Sequence, residues 1–483
     1  MNRFWKRLVL GGVTSLVLLP VLGLLIETQV TRVRGERRLA AAVAALDASD
    51  PTWRMDPLIA ARNHDLPIPD ENAAEVALKA TTHIPASYKE WGKDVLARGE
   101  LADALPHLPD ESSVCGAMAV IADCGDALAL ARTVHKYPRG GFRVVFATPN
   151  PYATLIPHIQ EMREAATLLD VDALVLAYQG HGDAAIRSAH AIVGVARSIG
   201  DDPFLIAQLV RIAAGVVARN AAERTLAWCE PKAGLAELQT AFLEEAAANR
   251  MTPGLKGERA ASFMVLQAVD AGLVGLNELE GGPSRSRTYL DRAGVFALRK
   301  YIPGQQADLL DLFDKYLQAD RLSGPARRAA VDAIALPPRS LATTFVYLLF
   351  PAIQKVIEAD DRARASLGAA AVGIACERYR QRFGRWPTTL AAIPKDILTT
   401  VPDDTYTGGP LRYAVFPDGV AVYAAGPDKT DDGGKMLDQS GKPGTDLGFR
   451  LWNPDKRRQP PKPKPPEDGD ANGPADDGPG AGP

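Results

Sequence analysis

Apolar side chains recur at every third or fourth position over most of the chain, a spacing that predicts amphipathic helices. Two such stretches within residues 158–203 are separated by Gly180 and Gly182. Glycines between two helical stretches are typical of a tight turn, so the sequence predicts an antiparallel helical hairpin. The stretch that begins at Phe204 continues the same pattern. We therefore expect a mainly α fold whose body, residues 111–359, is built from helical hairpins.

The N-terminal residues follow a different pattern, because an uninterrupted uncharged run extends from Leu8 to Ile26. As a helix this run spans roughly 28 Å, close to the hydrocarbon thickness of a bilayer. The run ends on large apolar residues and Glu27 instead of a small-x-small cleavage site. These features favour a retained single transmembrane anchor, residues 8–26, over a cleaved signal peptide.

Basic residues flank the anchor on both sides, so their charge does not fix its orientation. Long domains are translocated despite such charges. We expect residues 1–7 in the cytoplasm and the body on the periplasmic side of a bacterial inner (cytoplasmic) membrane, which the chain crosses once.

A second apolar run covers residues 341–357 and contains threonine, proline and glutamine side chains. Arg339 and Lys355 bound its uncharged part, which makes the run marginal in length for a membrane span. We predict a buried helix of the body at this position.

Two segments connect or follow the packed parts of the chain. Residues 27–110 begin with an Ala-rich helix and continue as a connector with short helices, one of which Asp70 is predicted to cap. Residues 453–483 contain almost no apolar side chains and many prolines, glycines and charges. Such a composition buries too little surface to offset chain entropy, so a disordered tail is predicted.

Residues 360–452, here called the C-terminal module, combine a helical pattern with a strand pattern. Gly384 is positioned to end a long Ala-rich helix. Two alternating stretches, residues 411–416 and 420–426, flank a Pro-Asp-Gly turn, which predicts an antiparallel β-hairpin. A helix laid across a hairpin is a compact α+β unit.

The module carries short motifs in a definite order. They are Tyr379-Arg380, Gly384 to Pro387, Leu390, Val401-Pro402-Asp403, Gly409-Pro410 with Tyr413, and Gly426-Pro427-Asp428 with Asp431-Asp432. In this order they resemble the head of the major pseudopilin of type II secretion. The resemblance implies a pseudopilin-like α+β head whose closing acidic loop, with Asp428, Asp431 and Asp432, binds calcium.

The rest of the chain departs from the pseudopilin pattern. In that family the apolar helix follows a Gly-before-Phe cleavage site, carries an early glutamate and runs directly into the head. The run 8–26 shows neither feature, and residues 27–359 separate it from the module. Polymerisation into a pilus is therefore not implied. The whole chain looks more like uncharacterised bacterial envelope proteins with an anchor, a helical body and a pseudopilin-like end.

Carboxylates of a flexible loop are hard oxygen ligands, which calcium prefers. Calcium also takes six or more oxygens, and Lys429 and Lys435 lie within the same acidic stretch. A calcium site and a solvated acidic turn both remain open interpretations of Asp428, Asp431 and Asp432.

Composition narrows the remaining chemistry. A formal net charge of -3 argues against a broad nucleic-acid surface. The cysteines and histidines form no ligand cluster of recognised spacing, and no phosphate-binding or dinucleotide motif is present. Cys115 and Cys124 could pair only across a bend, and the alternative is small buried thiols. No cofactor beyond candidate calcium, and no small-molecule substrate, is indicated.

These observations predict a non-enzymatic, membrane-anchored envelope scaffold or protein-interaction protein. Its expected partners are the membrane and other envelope proteins. One possibility is that these proteins belong to a secretion or pilus-like assembly. The alternative is an envelope hydrolase whose acids come from the connector or body, such as Asp70, Glu71 or Glu75.

Overall fold

The computed structural model describes residues 3–95, 105–275, 278, 298–436 and 446–462. The chain is mainly helical with one small antiparallel sheet, as the hydrophobic periodicity predicts. The α-helices are α1 Arg3–Ser49, α2 Met55–His64, α3 Ala73–Thr82, α4 Ala86–Val95, α5 Glu111–Ala122, α6 Gly125–Ala131, α7 Pro157–Tyr178, α8 Gly182–Ser198, α9 Leu205–Trp228, α10 Leu235–Ala247, α11 Met251–Ala271, α12 Ile302–Asp320, α13 Gly324–Asp332 and α14 Thr344–Phe383. The strands are β1 Arg412–Phe416, β2 Gly419–Ala424 and β3 Leu447–Trp452.

Helix α1 is one continuous helix that contains the predicted anchor and the Ala-rich segment after it. The large apolar side chains between Leu19 and Ile26 are exposed. The second half of α1 packs on α12, where a Cβ added to Gly35 would lie 2.7 Å from the backbone nitrogen of Gly304. The helix therefore docks on the body at one end and leaves an apolar surface uncovered at the other.

Helices α7 and α8 form an antiparallel pair joined by a short turn at Gly180, whose φ is 85°. Ser188 donates a hydrogen bond to Asp172 near the turn, and Ser198 contacts Met162 farther from it. The predicted cap of the connector helix was wrong. Asp70 lies in a 3₁₀ turn, and the Asn72 side chain caps α3 by accepting from the backbone N–H of Ala74 at 3.0 Å.

The sheet has the order β1-β2-β3, and both strand pairs are antiparallel. The predicted hairpin is β1 and β2, closed by the pair Phe416 and Gly419. Strand β3 was not predicted. Its outer edge is covered by α9, because Arg219 donates to the Gly448 carbonyl and Glu223 accepts from the Arg450 N–H at 2.7 Å.

One hydrophobic core extends through the body and the module. Buried side chains of α8, α9, α14 and the sheet, such as Ile192, Ile374 and Phe449, belong to the same cluster. Helix α14 runs through residue 360, where the division between body and module was predicted. That division stays a prediction, and the two parts share both a helix and a core.

The predicted tail begins too early at residue 453. Residues 453–462 pack against the fold, and the Arg457 side chain is buried. Leu108 donates its backbone N–H to the Gln459 carbonyl at 2.8 Å, which ties this segment to the connector. The remainder of the predicted tail, residues 463–483, lies outside the described residues.

The second apolar run forms the 3₁₀ helix Leu341–Thr343 and the first turns of α14. Phe345, Phe350 and Ile353 are buried among α11 and α12 side chains, in agreement with a buried helix. By length and composition alone, two helical stretches of the described chain are apolar enough to cross a membrane, Leu205–Trp228 and Leu341–Phe383. A bent pair, Glu111–Ala122 with Gly125–Lys136, would count as a third if it were one span.

Candidate functional site

The acidic loop after β2 contains the aspartates that were predicted to bind calcium, and their side chains make different contacts. Asp431 accepts hydrogen bonds from the Tyr423 hydroxyl and the Gly433 N–H, both at 3.0 Å, and its second oxygen lies 3.1 Å from Arg412 Nε. Asp428 is exposed and caps the N–H of Thr430 at 3.1 Å. The structure therefore uses both side chains to shape the loop.

Two other carboxylates in this loop are less satisfied. Asp446 is fully buried, and its Oδ1 has no hydrogen-bond partner within the described ranges; its Oδ2 accepts from the Gly434 N–H at 2.8 Å. Asp432 Oδ2 is likewise buried without a donor there. Burial, with the negative charges of Asp431 and Asp432, raises the pKa of Asp446.

Unpaired buried carboxylate oxygens near a third carboxylate are an arrangement that a cation would stabilise. Asp432 and Asp446 are the carboxylates of this loop that each keep one oxygen without a donor among the described residues. No group of three or more His, Cys, Asp or Glu side chains in the described chain has the geometry to hold a metal. Asp446 was not among the predicted ligands, because it directly precedes β3 and only the prediction of that strand would have brought it to this loop.

A buried ion-pair cluster lies where α14 crosses the body. Arg250 and Asp360 are both fully buried and approach to 2.8 Å. Burial alone would raise the pKa of Asp360, but the guanidinium groups of Arg250, Arg364 and Arg327 lower it to about 2. Arg250 also donates to the Glu245 carbonyl at the end of α10. The cluster fixes α10, α11, α13 and α14 to one another.

A second buried cluster joins the module to the segment after β3. Glu377 of α14 accepts from Arg457 Nη2 at 2.8 Å and from Arg380 Nη2 at 2.7 Å. Burial would raise the pKa of Glu377, but the Arg380 hydrogen bond and the Arg457 charge lower it to about 2. Arg457 additionally donates to the Cys229 carbonyl of the body at 2.8 Å. One buried arginine thus links the module, the segment after β3 and the body.

A cleft of 760 Å³ lies between the end of α10, the α12–α13 turn and the loops of the module. Most acidic side chains in its wall are engaged by guanidinium groups. Asp320 and Asp361 contact Arg327, and Asp404 pairs with Arg412 at 2.8 Å. These carboxylates therefore act as structural anions that hold the walls together.

The acids predicted for the alternative hydrolase lie elsewhere. Asp70 and Glu71 belong to the 3₁₀ turn Pro69–Glu71, and Glu75 lies in the first turn of α3. All three side chains are exposed, and none lines the cleft. The structure does not bring them together in a cavity.

The cysteines are free thiols, so the pairing considered for Cys115 and Cys124 is not formed. Cys115 is exposed and the other three are buried. Two histidines that are distant in sequence, His135 and His190, stack with ring centroids 4.6 Å apart. Burial, and after it the charge of His135, lowers the pKa of His190 to about 4, which favours its neutral ring.

Comparison of the chain with protein-family models, curated proteins and solved structures finds no match.

Proposed function

We propose that the protein is a non-enzymatic, membrane-anchored scaffold of a bacterial envelope, which presents its C-terminal module to other envelope proteins. The observation that supports this proposal is that the module packs rigidly against the body. It shares a core with the body, and Glu377, Arg457, Arg219 and Glu223 tie its helix and its sheet edge to the body. A module held in this way presents a surface of constant orientation.

The anchor belongs to the same proposal. The exposed apolar side chains between Leu19 and Ile26 support insertion of residues 8–26 in a membrane. We place the body on the periplasmic side of the inner membrane, since long domains are translocated despite flanking positive charges. The resemblance of the module to a pseudopilin head suggests a partner in a secretion or pilus-like assembly. Calcium is the proposed ligand of the acidic loop, held by Asp432 and Asp446.

The hydrolase alternative receives less support from the cleft. General acid–base chemistry needs carboxyl groups that can exchange protons with a substrate. Asp320, Asp361 and Asp404 are instead committed to Arg327 and Arg412. A binding and positioning role fits these contacts better than a catalytic one.

Photo-crosslinking in cells tests the scaffold proposal. Val415 on the edge strand β1 is 68% exposed, so a photoreactive amino acid placed there faces outward from the module. We expect one discrete adduct with an envelope protein, identified by mass spectrometry. The exposed valine Val145 of the body is the matched control site and should not give the same adduct. No discrete adduct at either site under several growth conditions would contradict the proposal.

A further inference from the structure

The apolar surface of α1 ends where the helix first touches the body. Lys300 Nζ lies 2.5 Å from Glu27, the residue that directly follows the apolar run. Three contacts join α1 to α12 and the segment before it. In these contacts the residue numbers increase along both segments. They are Glu27 with Lys300, Gly35 with Gly304, and Arg38 with Asp308. Helices α1 and α12 therefore run parallel, and α12 begins at the end of the body from which the apolar run projects.

Helix α14 begins at the same end. Gln305 in the first turn of α12 accepts from the Phe345 N–H at 2.8 Å and donates to the Leu341 carbonyl at 3.4 Å. Farther along, the rings of Phe313 of α12 and Phe350 of α14 contact each other at 5.1 Å between centroids. The two helices thus start side by side, so the first turns of α14 lie beside the 3₁₀ helix Arg299–Tyr301 and close to Glu27.

The side chains at this end have the composition of a membrane interface. Leu341 is 64% exposed and Leu348, two turns later, is 49% exposed. Arg339 lies over the ring of Tyr347 at 4.6 Å, and Lys300 lies over the ring of Tyr301 at 4.9 Å. We call the surface formed by Lys300, Tyr301, Arg339, Leu341 and Leu348 the membrane-proximal face.

We infer that the membrane-proximal face rests in the headgroup region of the bilayer that holds the anchor, so that the body has a second, interfacial contact with lipid. Leucines at that depth bury apolar surface, tyrosines favour the interface, and the exposed Arg339 can reach phosphate groups. The position follows from the anchor, so this inference rests on the proposed function. It adds a second contact of the body with the membrane, directly beside the anchor, and this contact limits how far the body can tilt.

Depth-dependent fluorescence quenching of the full chain in phosphatidylcholine–phosphatidylglycerol nanodiscs tests the inference. Variants with one exposed cysteine are built on Cys115→Ser, which removes the exposed native thiol and leaves the three buried ones. Leu341→Cys reports the membrane-proximal face and Leu24→Cys reports the anchor. Leu322→Cys is the matched control, since Leu322 is 46% exposed just beyond the opposite end of α12. Each variant carries an environment-sensitive fluorophore, and nitroxide lipids labelled in the headgroup or the acyl chain are the quenchers.

We expect headgroup nitroxides to remove most of the emission from the label in Leu341→Cys and little from that in Leu322→Cys, while acyl-chain nitroxides quench the label in Leu24→Cys. Equal quenching at positions 341 and 322, with quenching retained at 24, would overturn the interfacial contact and leave the anchor intact. Loss of quenching at 24 would overturn the anchor and the contact together.

Discussion

Glu377 is a buried carboxylate that forms ion pairs with Arg380 and Arg457. Glu377→Gln leaves the buried Arg457 guanidinium without its anion, and removal of one partner from a buried pair costs ~3–5 kcal/mol of unfolding free energy. Urea denaturation at neutral pH measures this loss. Asp396→Asn, which breaks the exposed pair with Arg382, is the control and should leave the urea midpoint unchanged.

The pH dependence of this contribution has a definite sign. The pKa of Glu377 is lowered in the fold from 4.5 to about 2, so its stabilisation is present above the unfolded value and is lost as the pH falls from 4.5 towards 2. Glu377→Gln should therefore lie closer to the wild type at pH 3 than at pH 7. Equal destabilisation at both pH values would show that the loss comes from packing instead of charge.

Asp446 gives the second residue-scale prediction, because its Oδ1 has no partner among the described residues and this supports the proposed cation. Calcium at about a hundred times its Kd should raise the unfolding free energy of the full chain by ~2.7 kcal/mol. Asp446→Asn should abolish this response, and Asp455→Asn, an exposed change outside the loop, should keep it. A melting temperature that calcium leaves unmoved in the wild type would identify the loop as a solvated acidic turn.

At the scale of elements, substitution of two glycines of α14 by alanine distinguishes the effect of helix propensity from the effect of packing. A Cβ at Gly373 would lie 2.5 Å from Phe449 Cδ1, whereas a Cβ at Gly368 would meet its nearest neighbour at 3.8 Å. Gly368→Ala should stabilise by ~0.5–1 kcal/mol, since alanine is the better helix former. Gly373→Ala should destabilise by ~1–3 kcal/mol through overpacking against the sheet. Thermal unfolding of both variants measures these changes in stability. If both substitutions stabilised the protein, β3 would have to move and make room for the added Cβ.

The elements also show what local sequence could predict. The hairpin β1–β2 was predicted because its turn residues and alternation are adjacent in sequence. Strand β3 was missed because its pairing with β2 is long-range and its outer edge is satisfied by α9 side chains, which no local pattern encodes. Asp446 was missed for the same reason. Arg457 was assigned to the tail because composition averages over a Pro-rich segment and does not register one buried guanidinium.

At the scale of the whole molecule, the shared core makes body and module one cooperative unit. Separation of the module would expose Ile374 and Phe449 and break the contacts of Arg457 with Glu377 and the Cys229 carbonyl. Because unfolding one part removes the partner surface of the other, we expect a single transition in the chain. Hydrogen exchange at increasing urea, followed in peptides from α8 and from the sheet, should give one common midpoint.

The variant Arg457→Ala tests whether body and module unfold together, since Arg457 lies after β3 and contacts both parts. In a cooperative molecule it lowers the midpoint of α8 peptides as much as that of sheet peptides, because both report the same global unfolding. If the sheet alone opened at lower urea, the module would be an independent domain, as the division at residues 359 and 360 predicts. A common shift would instead mean that the body and the module unfold as one piece, which a scaffold of fixed orientation requires.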